Sequence, residues 1–180
     1  MSKFINLEPR YLLAAALLAT AFSSEAQTCR GDSEIPSTTP TSDFHDHGDG
    51  TVTHKTTGLM WTKCTLGQTG SDCSGGSATT YDWSGALQAA KVSRIAGYSD
   101  WRVPNVKELI TLVEKRCFDP AINVAVFPGI PVSNIWTSSP TTDFPSNTPT
   151  SWGVNFAEFG YNFTYERTDL LSLRLVRSGH

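Results

Sequence analysis

The chain has 180 residues, 14 Lys and Arg against 17 Asp and Glu, a formal net charge of −3, and four cysteines. That length fits one domain with a core of its own. The bases are scattered, so no cationic face is available for phosphates and nucleic acid is not an expected partner.

Residues 1–26 carry Lys3 and Arg10, then the apolar run "YLLAAALLATAF", then small residues ending at Ala26. Basic, apolar and small in that order is the layout of a secretory signal peptide, with cleavage expected after Ala26. The run is too short to span a bilayer, so no transmembrane span is expected in the mature protein. Cleavage removes Lys3, Arg10, Glu8 and Glu25 together, and the charge balance is unchanged. Residues 27–43, "QTCRGDSEIPSTTPTSD", are rich in Ser, Thr and Pro and read as a linker, or as a tail tethered through Cys29. The Arg30-Gly31-Asp32 tripeptide within it is a three-residue match that carries no argument for integrin binding.

The folded domain is expected over 44–180. Thr51–His54 and Leu59–Lys63 are β-rich runs around a turn that ends in Gly58, which predicts a hairpin. In "TTYDWSGALQAAK", Trp83, Ala86, Leu87 and Ala90 recur at helical spacing, with Thr80 or Asp82 as N-cap. "GYSDWRVPNVKELITLVE" follows at 97–114. Gly97 ends the first helix, and Trp101-Arg102-Val103 reads as a short strand with Asp100 and Arg102 on one side. Pro104 excludes helix at Val103. Asn105 and Glu108 then form a capping box, and Val106, Leu109, Ile110 and Val113 form one apolar stripe. Each residue of the stretch has a structural task, and a partly buried Asp100–Arg102 pair is expected rather than a binding pair. "NIWTSS", "SWGVNFAEFGYNFTY" and "LSLRLVRS" read as strands, with Gly160 at a hairpin tip and a Pro/Thr/Ser loop after the first. Strands at both ends with two helices between them make an α+β layout.

Four cysteines in an exported chain read as two disulfides, among three possible pairings. Cys64–Cys73 and Cys29–Cys117 are favoured, the first closing a short Gly/Ser/Thr-rich loop and the second tying the tail to the end of a helix. A zinc site is disfavoured, because there is no C-x-x-C pair and no His at ligand spacing from a Cys.

"DGTVTHKTTGLMW", "GYSDWRVPNVKELITLV", "FP", "IWTSS" and "RLVRSG", in this order and spacing, resemble the Lcl C-terminal domain family, the C-terminal domain type of the Legionella collagen-like adhesin. The resemblance covers about residues 44–179. It implies a fold related to C-type lectins: two helices on a small twisted antiparallel sheet, with the N- and C-terminal strands adjacent. It also implies an exported bacterial protein, in a family whose namesake binds sulfated glycosaminoglycans. The namesake's collagen-like stalk is absent here, and trimerisation through it is not carried over.

The candidate chemistry is sparse. "DFHDHGDGT" gathers Asp43, His45, Asp46, His47 and Asp49. As a calcium loop it would place His45 and His47 at the first two ligand positions and Thr56 where a bidentate Glu belongs, so an ordinary turn is expected and no metal. The calcium-dependent sugar motifs of C-type lectins are missing. "VPN" at 103–105 lacks the acid, and no W-N-D follows. If a ligand site follows the fold's usual location, it lies in the loop Ser138–Ser151 and the strand after it, with Asp143, Asn147, Trp152 and Asn155 as contacts. A formylglycine-generating type of cysteine oxidase has a precedent on this scaffold, but Cys117 has only two nearby bases to activate it. No hydrolase or phosphate-loop motif occurs. The five tryptophans are expected in the core. The sequence therefore predicts an exported, non-enzymatic binding or adhesion module without cofactor, recognising a glycan or a cell-surface or matrix ligand. A structural subunit of an envelope assembly is the alternative.

Overall fold

The computed structural model describes residues 27–131, 133–141 and 148–179. The signal-like segment therefore lies outside the described residues, as do Asp143 and Asn147. The elements are β1 (Thr28–Cys29), β2 (Phe44–Asp46), β3 (Thr51–His54), β4 (Leu59–Thr62), β5 (Gln68–Thr69), β6 (Gly75–Gly76) and β7 (Thr80–Tyr81). Helices α1 (Trp83–Val92) and α2 (Val106–Ile110) follow. Then come β8 (Cys117–Phe118), β9 (Asn134–Pro140), β10 (Thr150–Asn155), β11 (Tyr161–Glu166), β12 (Leu171–Ser172) and β13 (Val176–Ser178). Among the described residues this is an α+β arrangement of two α-helices and mainly antiparallel sheets.

The 51–62 hairpin forms as expected, with Gly58 at φ +68° closing the turn. It nucleates a four-stranded sheet in the order β13-β4-β3-β2. The C-terminal strand thus joins the sheet of the N-terminal hairpin through β4, while β2 lies at the opposite edge. The run "LSLRLVRS" divides between two sheets. Leu171–Ser172 pairs with β7 and β9 in a five-stranded sheet, β11-β10-β9-β12-β7, and Val176–Ser178 pairs with β4.

Alternation along the central strands places one core on each face of the five-stranded sheet. Ile135 and Val154 belong to a cluster with Val52, Trp61, Leu109, Leu112, Ile122, Phe127, Phe156 and Val176. Trp136, on the other face, packs with Ala86, Ala90, Trp101, Val103, Leu173 and Leu175. Trp83, Trp101 and Trp136 each donate their indole N–H to a backbone carbonyl, at 2.9, 3.0 and 2.7 Å, which removes the cost of burying it.

Asp82 caps α1 by accepting from the Gly85 N–H. At α2 the capping box is complete: Asn105 accepts from the Glu108 N–H and Glu108 from the Asn105 N–H. The helix itself is shorter than its apolar stripe. After Ile110 the chain turns, and Val113 forms an isolated bridge with Ile122. The stripe survives because Leu112 and Val113 reach the same core from the turn. Trp101–Val103 is likewise less regular than predicted, and only Arg102 bridges to Val176.

The 27–43 segment is a clamped strap. Both favoured disulfides are present, Cys29–Cys117 and Cys64–Cys73. β1 pairs with β8, and Gln27 Nε2 donates to the carbonyls of Pro120 and Ile122 at 2.6 Å each. Glu114, only 2 % exposed, is the anchor. Its carboxylate accepts from Ser37 Oγ at 2.6 Å, from the Thr38 and Thr39 N–H groups at 3.0 Å, and from Thr39 Oγ1 at 3.0 Å. Ser and Thr dominate this segment because short hydroxyls can meet a carboxylate beside their own backbone.

Candidate binding surface

The dense stretch at 97–114 lines a cleft of about 500 Å³, between α1 (Leu87, Lys91), the Asp100–Val103 segment and the start of α2. Three of its charged side chains, Asp100, Arg102 and Glu108, are engaged within the protein. The Arg102 guanidinium forks onto Glu108, Nη1 to Oε2 at 2.7 Å and Nη2 to Oε1 at 2.6 Å. Burial pushes the Glu108 carboxyl up, but the Arg102 fork and the Asn105 N–H more than reverse this and hold it below its ordinary value. Asp100 pairs with Arg177 (2.7 Å), which lowers its pKa, and not with Arg102 as the strand alternation suggested. Arg177 also stacks over Tyr98, 3.9 Å from the ring centroid. The expected pair does not form because each member has another partner, Arg177 for Asp100 and Glu108 for Arg102.

The histidine-rich turn is built by its carboxylates. Asp46 Oδ1 accepts from the Gly48 N–H and Oδ2 from Lys63 Nζ; Asp49 Oδ1 accepts from the Thr51 N–H and hydroxyl. The Lys63 hydrogen bond, and then that from Gly48, lower the Asp46 pKa. His45 and His47 meet edge to face, and His47 Nε2 contacts Thr53 Oγ1 at 2.8 Å. Among the described residues no group of three or more His, Cys, Asp or Glu is placed to hold a metal.

Of the four ligand contacts expected from the lectin comparison, two fall within the described residues. Trp152 is half-buried in β10. The Asn155 Oδ1 accepts from the Ala157 N–H at 2.8 Å and shapes the turn toward β11. All four cysteines are in disulfides, and no thiol is free. None of the five tryptophans is exposed.

The exposed aromatics lie elsewhere. β11 is an edge strand whose only neighbour among the described residues is β10. Phe159, Tyr161 and Phe163, at its start and along it, are 56 %, 57 % and 45 % exposed. Phe118, Phe159 and Tyr161 form a chain of rings with centroids 5.9 and 5.8 Å apart. Tyr161, Phe163 and Tyr165 share one face, but only Tyr165 reaches the core, edge-on to Trp136. The alternating aromatics of "YNFTY" were visible in the sequence as a strand signal. They did not reveal a binding surface, because the same pattern describes a half-buried strand in any sheet.

Arg174 is a second unusual group. Fully buried, it donates Nη1 to the Thr62 and Lys63 carbonyls at 2.5 Å each and lies over Phe127, 4.7 Å from the centroid. Burial pulls its pKa down to about 9. It ties the 171–178 segment to the end of β4.

Architecture and surface together define a disulfide-bridged α+β domain with Asp100, Arg102 and Glu108 paired in the cleft beside α1 and exposed aromatics at one sheet edge. The Lcl C-terminal domain family model matches residues 50–177, and the chain belongs to that family. No curated protein matches it. The clamped strap lies before the matched region.

Proposed function

We propose that the protein is an exported, non-enzymatic binding module of lectin-like type, recognising a glycan or a surface partner through the aromatic edge around β11. The observation that carries this reading is the exposed pair Tyr161 and Phe163 on an edge strand, with exposed Phe159 in the turn that leads into it. Exposed aromatics clustered on one surface are uncommon unless something covers them. Membership of the Lcl C-terminal domain family fits an adhesin-associated module. Two disulfides, with no helix among the described residues long and apolar enough to cross a membrane, fit export. The bridging of Cys117 argues against a cysteine oxidase.

The test is an array of glycans and matrix proteins probed with the oxidised protein, with and without EDTA. Binding that survives EDTA and is lost in a Tyr161→Ala/Phe163→Ala variant of unchanged melting temperature is the expected result. A wild-type protein that binds nothing on the array, yet purifies in a stoichiometric envelope complex through another face, overturns it.

A further inference from the structure

The backbone of β11 identifies which of its groups are free. The Glu166 N–H donates to Asp169 Oδ2 at 3.0 Å, and the Asp169 N–H returns to the Glu166 carbonyl at 2.9 Å. Glu166 therefore turns its amide groups away from β10. By the alternation of an antiparallel ladder, Thr164 and Asn162 do the same. No backbone partner meets either among the described residues, and both are exposed. Two consecutive outward positions, with two donors and two acceptors, are open to a further strand.

Soluble proteins commonly guard such edges with charge, proline or a bulge. β11 has none of these before Glu166 at its end, and the irregularity in this sheet lies on the far side of β10, between Ser151 and Gly153. The charge around the edge has one sign. Glu158, Glu166 and Asp169 are exposed beside it, and Asp119 joins them where its N–H donates to the Ala157 carbonyl. The one base between 155 and 170, Arg167, is turned back: its guanidinium lies over Trp83, 4.2 Å from the centroid, and Nε donates to Ser151 Oγ. The Tyr165 hydroxyl senses this field, its pKa raised by burial and then by Asp169 and Glu158.

We infer that the free edge of β11 receives an extended, basic segment of a partner polypeptide as an added strand. Its backbone pairs with Asn162 and Thr164, its apolar side chains cover Tyr161 and Phe163, and its Lys or Arg side chains meet Glu158, Glu166 and Asp169. This rests on the binding-module reading and names the partner's chemistry. An aromatic row with an acidic rim suits lysine-bearing strands and repels sulfated or carboxylated chains.

The experiment uses the oxidised full chain and fluorescently labelled ten-residue peptides of alternating Lys and Val, alternating Glu and Val, and the Lys/Val peptide N-methylated at alternate residues. Saturable binding of the Lys/Val peptide alone, weakening as salt rises, is expected. Thr164→Pro removes one outward N–H at an edge position that tolerates proline, and it should weaken binding about tenfold, the effect of roughly one charge-independent hydrogen bond. Glu158→Lys/Glu166→Lys should abolish the preference for Lys over Glu. The N-methylated peptide tests the backbone pairing without altering the protein. Equal binding of methylated and unmethylated peptides, or of basic and acidic ones, overturns the inference. A glycan that binds the array through Phe163 while no peptide binds overturns it and leaves the binding-module reading standing. A dimer of the untreated protein that Thr164→Pro dissolves also overturns it, because the occupant is then a second copy.

Discussion

Glu114 is ionised where burial alone would favour the neutral acid. Desolvation raises its pKa, but the hydrogen bonds from Ser37, Thr38 and Thr39 outweigh it and bring it to about 2, against 4.5 for an ordinary glutamate. A folded value below the unfolded one means that the carboxylate adds stability fully above the unfolded pKa. That contribution is lost as pH falls from about 4.5 through about 2. It amounts to at most about 3 kcal/mol. Glu114→Gln should therefore lower stability at pH 7 and flatten the wild-type decline in urea-unfolding free energy between pH 5 and 2. An unchanged slope in that variant would show that other carboxylates carry the acid sensitivity. Arg174 is the opposite case, a buried cation with no ion pair among the described residues. Burial pulls its pKa below the ordinary value, so its charge costs stability at neutral pH. Arg174→Met keeps the volume over Phe127 and drops the charge, so it should be clearly more stable than Arg174→Ala, which leaves a cavity of about the cost of a large-to-small core change, roughly 3 kcal/mol.

Helix α2 has only five residues, too few to persist through propensity, and its cap does much to define it. Asn105→Ala should cost about 1 kcal/mol by chemical denaturation, a usual figure for a lost N-cap. Glu108→Ala should cost more than Asn105→Ala, because the Arg102 fork goes with the cap. The turn from β10 into β11 depends on Gly160, at φ +71°, where an added Cβ would land in the Val113 methyls. Gly160→Ala should lose about 2 kcal/mol or more from strain and overlap together. Val113→Ala in the same chain should recover part of that loss in a double-mutant cycle. At this scale the sequence was most legible where a local rule acts alone. The 51–62 hairpin, the Asp82 and Asn105 caps and the Gly160 tip all follow from neighbours within a few residues. The errors arose where distant partners decide. Arg177 takes Asp100 from across 77 residues, Ile122 receives Val113 after the helix has ended, and "LSLRLVRS" serves two sheets. The surface was less legible than the fold. Aromatics with period two predict a strand, while their exposure depends on β11 being last in its sheet, a fact of topology that no window of residues contains.

For the whole molecule, the disulfides and the strap set cooperativity. By chain-entropy arithmetic, the Cys29–Cys117 link, with a sequence separation of 88, should contribute about 4–5 kcal/mol and the shorter Cys64–Cys73 link about 3 kcal/mol. A Cys29→Ser/Cys117→Ser variant should melt lower than Cys64→Ser/Cys73→Ser, and the reverse order in calorimetry would mean that the strap holds without its covalent link. The strap's covalent stitch also has a mechanical meaning. Along the covalent chain, a pull applied between Gln27 and Gly179 passes through the two sulfurs, so the stretch between Cys29 and Cys117 cannot be drawn out while the bond holds, and the load reaches the first hairpin only through the β13–β4 ladder. Reduction should lengthen the fully stretched chain by the 88 steps that separate the two cysteines, about 300 Å at roughly 3.4 Å each. For a domain tethered at its beginning and gripping a partner near its end, oxidation would decide how much of it unravels under load.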